Sequence, residues 1–233
     1  MKFVVFLNTL VNPWREYAAE FVGTFFLVFI SSVLFYVERV YGGLGIVGLA
    51  LGLGFVYGAL IFATSPISGG FLNPALTVSL WLVKRVSGTK TVFYLIFQFL
   101  ASFIAGIMIY MLFGASALNV NLGSPVLGFG VSFETALILE AIFSAGMVWV
   151  LFATYVDKRG PVSFMPIVLG FYLTCVSLAA LPLTGAVFNP ARAIGPLVLS
   201  KSYSYLLVYT AAPFFASLLG LVYEYLYLRR KKN

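Results

Sequence analysis

The chain has 233 residues, of which 62% are hydrophobic and 9% are charged, whereas about a quarter of the residues in soluble domains are charged. This composition excludes an ordinary soluble protein and predicts an integral membrane protein. The net charge of +7 is no reason to expect a nucleic-acid partner, because basic residues in membrane proteins usually report topology. With no histidine and one cysteine, Cys175, neither a metal or haem cofactor nor an internal disulfide is expected.

Six apolar stretches are long enough to cross a bilayer, which takes about 20 residues of helix. They lie at about 16–37, 44–64, 91–113, 133–155, 163–182 and 203–228. Two further apolar segments, Pro74–Val83 and Pro190–Ser200, are about half that length and cannot span. Each follows a loop of small and polar residues, so two alternatives are open. The segment is either a surface helix or a re-entrant half-helix, which is tolerated at membrane depth only where it lines a cavity or is buried in protein.

The distribution of basic residues predicts the orientation. With the N-terminus inside, the outer loops contain two basic residues, Arg39 and Lys201, and the inner segments contain eleven. The inner set is Lys2, Arg15, Lys84, Arg85, Lys90, Lys158, Arg159, Arg229, Arg230, Lys231 and Lys232. Because Lys and Arg accumulate in cytoplasmic loops, both termini are predicted to be cytoplasmic.

The tripeptide Asn-Pro-Ala begins both short segments. The copies are Asn73, Pro74 and Ala75, and Asn189, Pro190 and Ala191. Asparagine is a favoured N-cap and proline suits the first helical position, so one copy would indicate only a helix start. Two copies, one in each half of a membrane chain, predict a pair of short helices whose N-termini point at a common site.

The two halves, about 1–115 and 130–233, are predicted to form one transmembrane domain joined by an outer loop. Glu20 on the first predicted span precedes Asn73 by 53 residues, and Glu140 on the fourth precedes Asn189 by 49. Each half has three spans, an odd number, so the copies must have opposite orientations. Inverted repeats place their shared site near the midplane. The two short helices are therefore predicted to meet there, end to end at Asn-Pro-Ala.

On these residues the chain resembles the aquaporins, the major intrinsic protein family, from Ala18 to Pro213. The paired motifs carry the resemblance, together with Glu20, Glu140, Gln98 and Arg192. It implies an all-α membrane protein, a bundle of six transmembrane helices with two re-entrant half-helices. It also implies a homotetramer in the cell membrane with a pore in each subunit, and a passive channel rather than an enzyme.

The two asparagines and Arg192 are the expected polar groups of this pore. As N-caps, Asn73 and Asn189 use their oxygens on their own helices, which leaves amide N–H groups for a passing water or hydroxyl oxygen. The two helix N-termini add a positive potential that repels cations and orients water, which interrupts proton conduction. Arg192 is expected to face the outer mouth, because an isolated membrane arginine is costly. The alternative is an arginine that snorkels at a helix end.

Glu20 and Glu140 are acidic residues within predicted membrane spans, and two interpretations of them are open. Intramembrane carboxylates are candidates for proton relays. The resemblance implies instead that they accept hydrogen bonds from the backbone of the two motif loops, and their symmetric positions favour this supporting role. A coupled secondary transporter, the second class of function considered, would need one of these two acids at a central cavity.

Counting from the two motifs, the resemblance places an outer constriction, the selectivity filter, at Leu53, Ser177, Ala186 and Arg192. Strict water channels usually have an aromatic residue and a histidine there, and glycerol conductors two aromatics and a glycine. This chain has neither set, so a wider and less polar filter is expected, unless Phe55 or Phe188 narrows it. In the inner vestibule, Phe71 stands where the family commonly has histidine.

The predicted function is a passive channel in the lipid bilayer that conducts water and excludes protons and ions. Ala193 stands where glycerol conductors usually have aspartate, which favours the water branch. The wide filter favours the alternative, a channel that also admits small neutral solutes such as glycerol, urea, ammonia or hydrogen peroxide.

Overall fold

A computed structural model describes the backbone of residues 2–228 and the side chains from Pro13 onward. Over this range the fold is helical and contains no β-strand, which confirms the predicted all-α class. The nine α-helices in this part of the chain are α1 (Lys2–Val40), α2 (Gly45–Ser68), α3 (Pro74–Leu82), α4 (Gly88–Asn119), α5 (Phe133–Leu151), α6 (Met165–Thr184), α7 (Pro190–Leu199), α8 (Leu206–Ala216) and α9 (Leu219–Tyr223). The predicted inner charges Arg229, Arg230, Lys231 and Lys232, and the side chain of Lys2, lie outside the described residues.

Six helical segments are long and apolar enough to cross a membrane, as predicted. They are Pro13–Val40, Gly45–Ser68, Gly88–Asn119, Phe133–Val156, Val162–Thr184 and Tyr203–Leu228. The fourth and sixth spans each contain a π-helical turn, at Phe152–Val156 and Glu224–Leu228. Gly114 has φ 55° and ψ −134°, which breaks the helical geometry of α4 close to the predicted end of its span.

The short helices α3 and α7 have nine and ten residues and begin in the same way. Asn73 and Asn189 have extended backbones, and each side-chain Oδ1 accepts a hydrogen bond from the backbone N–H two residues later, at 2.9 and 3.0 Å. Their first turns are buried inside the bundle. The surface-helix alternative is therefore wrong, and both are internal half-helices.

Small residues let the spans approach one another closely around this centre. A Cβ atom added to Gly54 of α2 would lie 1.8 Å from Thr174 Oγ1 and 2.5 Å from the Gly170 carbonyl oxygen of α6. A Cβ atom on Gly195 of α7 would lie 2.2 Å from the Ser102 carbonyl oxygen of α4. Because a side chain would force these backbones apart, glycine sets the distance at both crossings.

The core surrounds the N-termini of α3 and α7, and the apolar outer surface is suited to lipid. The main cluster of buried side chains draws on all six spans and on the two loops that precede the half-helices. Large hydrophobic side chains such as Phe62 and Phe171 are exposed on the outside of the bundle. Phe55 is 59% exposed there, so the expectation that it could narrow a central pore is wrong.

Candidate functional site

The two Asn-Pro-Ala motifs meet through a reciprocal pair of hydrogen bonds. Asn73 Nδ2 donates to the Phe188 carbonyl oxygen at 3.0 Å, and Asn189 Nδ2 donates to the Leu72 carbonyl oxygen at 2.8 Å. Each accepting carbonyl belongs to the residue just before the opposite asparagine. Since a side-chain amide has two N–H groups, this cross-link engages one from each asparagine. The half-helices therefore face each other end to end, in a cross-link that the sequence pattern does not predict.

A small cavity of about 10 Å³ adjoins the paired asparagines. This is about the room that one water molecule needs. Its lining consists of Leu27, Ser31, Leu53, Tyr57, Asn73, Met147, Leu173, Val187, Asn189 and Arg192. Four predicted site residues are thus brought together around it: Leu53, both asparagines and Arg192.

Two other predicted filter residues, Ser177 and Ala186, are fully buried but are not part of this lining. The Ala186 carbonyl oxygen accepts a hydrogen bond from Arg192 Nη1, so this residue acts on the arginine through its backbone. Ser177 Oγ has no hydrogen-bond partner in the described part of the chain. The prolines and alanines of the motifs, Pro74, Ala75, Pro190 and Ala191, are buried in the first turns of the half-helices.

Glu20 is fully buried and binds the loop before α3. Its carboxylate accepts hydrogen bonds from the backbone N–H groups of Phe71 at 3.0 Å and Leu72 at 2.8 Å. It also accepts from Ser68 Oγ and Gln98 Nε2, both at 2.7 Å. These four donors occupy the carboxylate, and the residue does not line the cavity.

Glu140 has the corresponding place in the second half. It accepts hydrogen bonds from the backbone N–H groups of Val187 at 3.1 Å and Phe188 at 2.8 Å, and from Thr184 Oγ1 at 2.6 Å. It is fully buried and also lies outside the cavity lining. Neither acid therefore has the position at a central cavity that a coupled transporter would require.

Arg192 is the one charged side chain in the cavity lining, and it is only 4% exposed. Its guanidinium carbon lies 5.1 Å from the centroid of the Phe35 ring. Its Nε and Nη2 atoms have no partner among the described residues. Buried donors without a partner are rare in proteins, so these N–H groups are available to water or to a solute. Its burial distinguishes this side chain from a snorkelling arginine.

The predicted inner side of the site is aromatic. Phe71 is buried, and its ring centroid lies 5.5 Å from that of Tyr155 and 6.0 Å from that of Tyr94. Tyr94 Oη donates to the Ser68 carbonyl oxygen at 2.7 Å, which ties this cluster to the first motif loop. Tyr57 Oη donates to the Phe71 carbonyl oxygen at 3.4 Å.

Several cavity-lining residues are not among those that the sequence pattern predicts, although the internal repeat contains the signal for them. Tyr57 precedes Asn73 by the same 16 residues that separate Leu173 from Asn189. In the same way, Leu27 and Met147 each follow their buried glutamate by seven residues. These four residues therefore occupy corresponding positions in the two halves.

Six spans around two facing half-helices, with unpartnered arginine donors at a water-sized cavity, define a membrane channel. The sequence profile of the family described as "Major intrinsic protein" matches residues 8–223. The chain belongs to this family.

Individual relatives agree with this assignment. Aquaporin Z of Photorhabdus laumondii is 30% identical over 200 residues, which cover 82% of this chain and 86% of the relative. Glycerol uptake facilitator protein-like 6 of Lactiplantibacillus plantarum is 31% identical, covering 85% of this chain and 91% of the relative. The X-ray structure of the aquaglyceroporin from Plasmodium falciparum has the same fold, with a TM-score of 0.82 over 93% of this chain and 97% of that chain, at 22% identity.

The protein is therefore a multi-pass membrane protein and a passive channel for water or small solutes, and it is not an enzyme.

Proposed function

We propose that water is the main solute and that it passes the paired asparagines and Arg192 in a pore through this chain. The observation that carries the proposal is the water-sized cavity lined by both asparagines and by an arginine with two unpartnered donor atoms. Each of these groups carries N–H donors for a water oxygen, and the second amide N–H of Asn73 has only the weak acceptor Met147 Sδ at 3.8 Å as its protein partner. Together with the facing helix N-termini, they make the centre of the bundle unfavourable for cations and protons.

The roles of the flanking residues belong to the same proposal. Leu53, Ser177, Ala186 and Arg192 form the outer selectivity filter, and Phe71 forms part of the inner vestibule. Glu20 and Glu140 support the two motif loops and carry no protons across, which is supported by their seven hydrogen bonds from protein groups. The second candidate is a channel that also admits glycerol or other small neutral solutes. It is favoured because none of the filter residues Leu53, Ser177 and Ala186 is aromatic.

The role of Arg192 is tested by replacing it with valine and measuring proteoliposomes by stopped flow. We expect R192V to conduct water still, while proton leak and glycerol flux rise about tenfold or more, the factor that a barrier lower by about 1.4 kcal/mol gives. Lys201→Gln is the matched control, because it removes an exposed outer charge away from the cavity. If R192V leaves both leaks unchanged, the arginine is not the barrier.

The assembly and the orientation are also part of the proposal. A homotetramer in the plasma membrane with both termini cytoplasmic is supported by the family membership and by the basic residues of the predicted inner segments. Three of these form ion pairs with acidic residues: Arg85 with Glu224, Lys90 with Glu16, and Arg159 with Asp157. Labelling of single cysteines at the termini of intact cells would show the orientation, and a terminus that is labelled from outside would contradict it.

A further inference from the structure

One stripe of α1 follows the cavity toward the predicted outer side. Leu27 and Ser31 line the cavity and are four residues apart, which places them on the same face of the helix. Phe35 is the next residue in this series and is 5% exposed. It packs in the same buried cluster as Leu53. The first span therefore places an aromatic ring one helical turn beyond the cavity-lining residue Ser31, beside Arg192.

The Phe35 ring is in contact with two arginines. The guanidinium carbon of Arg192 lies 5.1 Å from the ring centroid, and that of Arg39 lies 5.3 Å from it. Both distances are within the range in which a cation is attracted to an aromatic ring. Arg192 therefore packs against the Phe35 ring. The Nε and Nη2 atoms of the same arginine have no hydrogen-bond partner among the described residues.

Arg39 connects this ring to the outer loop. Its Nη1 donates to the Val120 carbonyl oxygen at 3.0 Å and to the Ser124 carbonyl oxygen at 2.7 Å. Arg192 is held on its other side by the Ala186 carbonyl oxygen. The ring and the two guanidinium groups therefore form one packed unit that is anchored at both ends by backbone carbonyls.

We propose that Phe35 is a specificity-determining residue of this channel: its ring, supplied by the first span, packs against Arg192 and narrows the outer constriction. This proposal rests on the proposed passage of water beside Arg192. It supplies from α1 the aromatic side chain that Leu53, Ser177 and Ala186 lack. The constriction is then narrower than the side chains of those three residues alone would make it, and glycerol passes it less readily than water.

The test compares glycerol and water permeability in proteoliposomes that contain the full-length protein, measured by stopped flow. Phe35→Ala is expected to raise the ratio of glycerol to water permeability about tenfold or more, because removing side-chain volume from a tight site changes discrimination by at least this factor. Phe35→Tyr keeps the ring and is expected to retain the wild-type ratio. Phe26→Ala is the matched control, since Phe26 lies on the same helix and is 43% exposed.

Each outcome decides the proposal. An unchanged ratio in folded F35A overturns it, as does a wild-type channel that already passes glycerol as readily as water. A ratio that rises equally in F35Y would also overturn it, because the ring would then not be what restricts glycerol. If F35A does not yield folded protein, Phe35→Val, which also removes the ring, is scored by the same criteria. Wild-type vesicles that swell no faster than empty vesicles would contradict the proposed function itself, which is a different result.

Discussion

The residues around the paired asparagines have an unusual backbone. Leu72, Ala186 and Phe188 have positive φ angles of 51–52°, a region that residues other than glycine seldom adopt. Such a conformation persists only where surrounding contacts hold it. Glu20 and Glu140 provide those contacts, because each accepts two consecutive backbone N–H groups from the loop before its half-helix.

Replacing Glu140 with glutamine tests this support. The carboxamide keeps one acceptor oxygen but turns an N–H donor toward a backbone donor. We therefore expect E140Q to lower the free energy of unfolding by about 1–3 kcal/mol, the cost of leaving a buried polar group unpaired. The measurement is the thermal stability of the purified protein in detergent.

The control for this prediction is Glu134→Gln on the same helix. Glu134 is exposed in the first turn of α5, so its replacement is expected to leave the melting temperature nearly unchanged. Equal melting temperatures for E140Q and wild type would contradict the supporting role.

At this scale the sequence predicts what depends on neighbouring residues and misses what depends on the packing of distant ones. Asn73 and Asn189 cap their own helices, and the preference for asparagine followed by proline is local. The bonds from each asparagine to the opposite loop join residues more than 100 positions apart. Phe35 and Arg192, which are in contact, are even further apart in the chain, and nothing in the local sequence of either residue indicates this contact.

At the scale of helices, the crossing of α2 and α6 depends on glycine. A methyl group on Gly54 would collide with the Thr174 side chain and with the backbone carbonyl oxygen of Gly170. Lipid offers no hydrophobic force to bring helices together, and close packing at small residues is what remains. Close packing at Gly54 is therefore expected to contribute to the stability of this crossing.

Gly54→Ala is expected to destabilise the protein by about 1–3 kcal/mol, the usual cost of overpacking a close contact. Gly48→Ala on the same helix is the control, because its new methyl group would meet only the side chain of Leu44. Thermal stability in detergent measures both. A G54A protein as stable as G48A would show that α2 and α6 have room to separate.

Hydropathy and length predict the number and type of the spans because crossing a bilayer needs about 20 apolar residues. Their ends are predicted less well because local capping sets them. The second span is predicted to end at residue 64, but α2 continues through Pro66 to Ser68. It ends where Gly69 adopts a left-handed conformation with φ 97°, and its N–H bonds to the Ser65 carbonyl oxygen. Polar residues near this end lower the hydropathy before the helix stops.

At the scale of the whole molecule, corresponding elements of the two halves make corresponding contacts. In each half, a buried glutamate on a span accepts two N–H groups from a motif loop, and the asparagine of that loop bonds to the other half. We propose on this basis that residues 1–115 and 130–233 are inverted repeats within one domain. Because each half has an odd number of spans, the two halves have opposite orientations, and the N-termini of the half-helices α3 and α7 face each other.

The central claim is that this chain conducts water passively past the paired asparagines. The most direct test is stopped-flow osmotic shrinkage of proteoliposomes with a pH-sensitive dye inside, with and without an imposed proton gradient. The account predicts water flux well above that of empty vesicles, no change of flux with the proton gradient, and no accompanying proton entry. Shrinkage no faster than in empty vesicles would contradict the account, and so would a water flux that depends on the proton gradient.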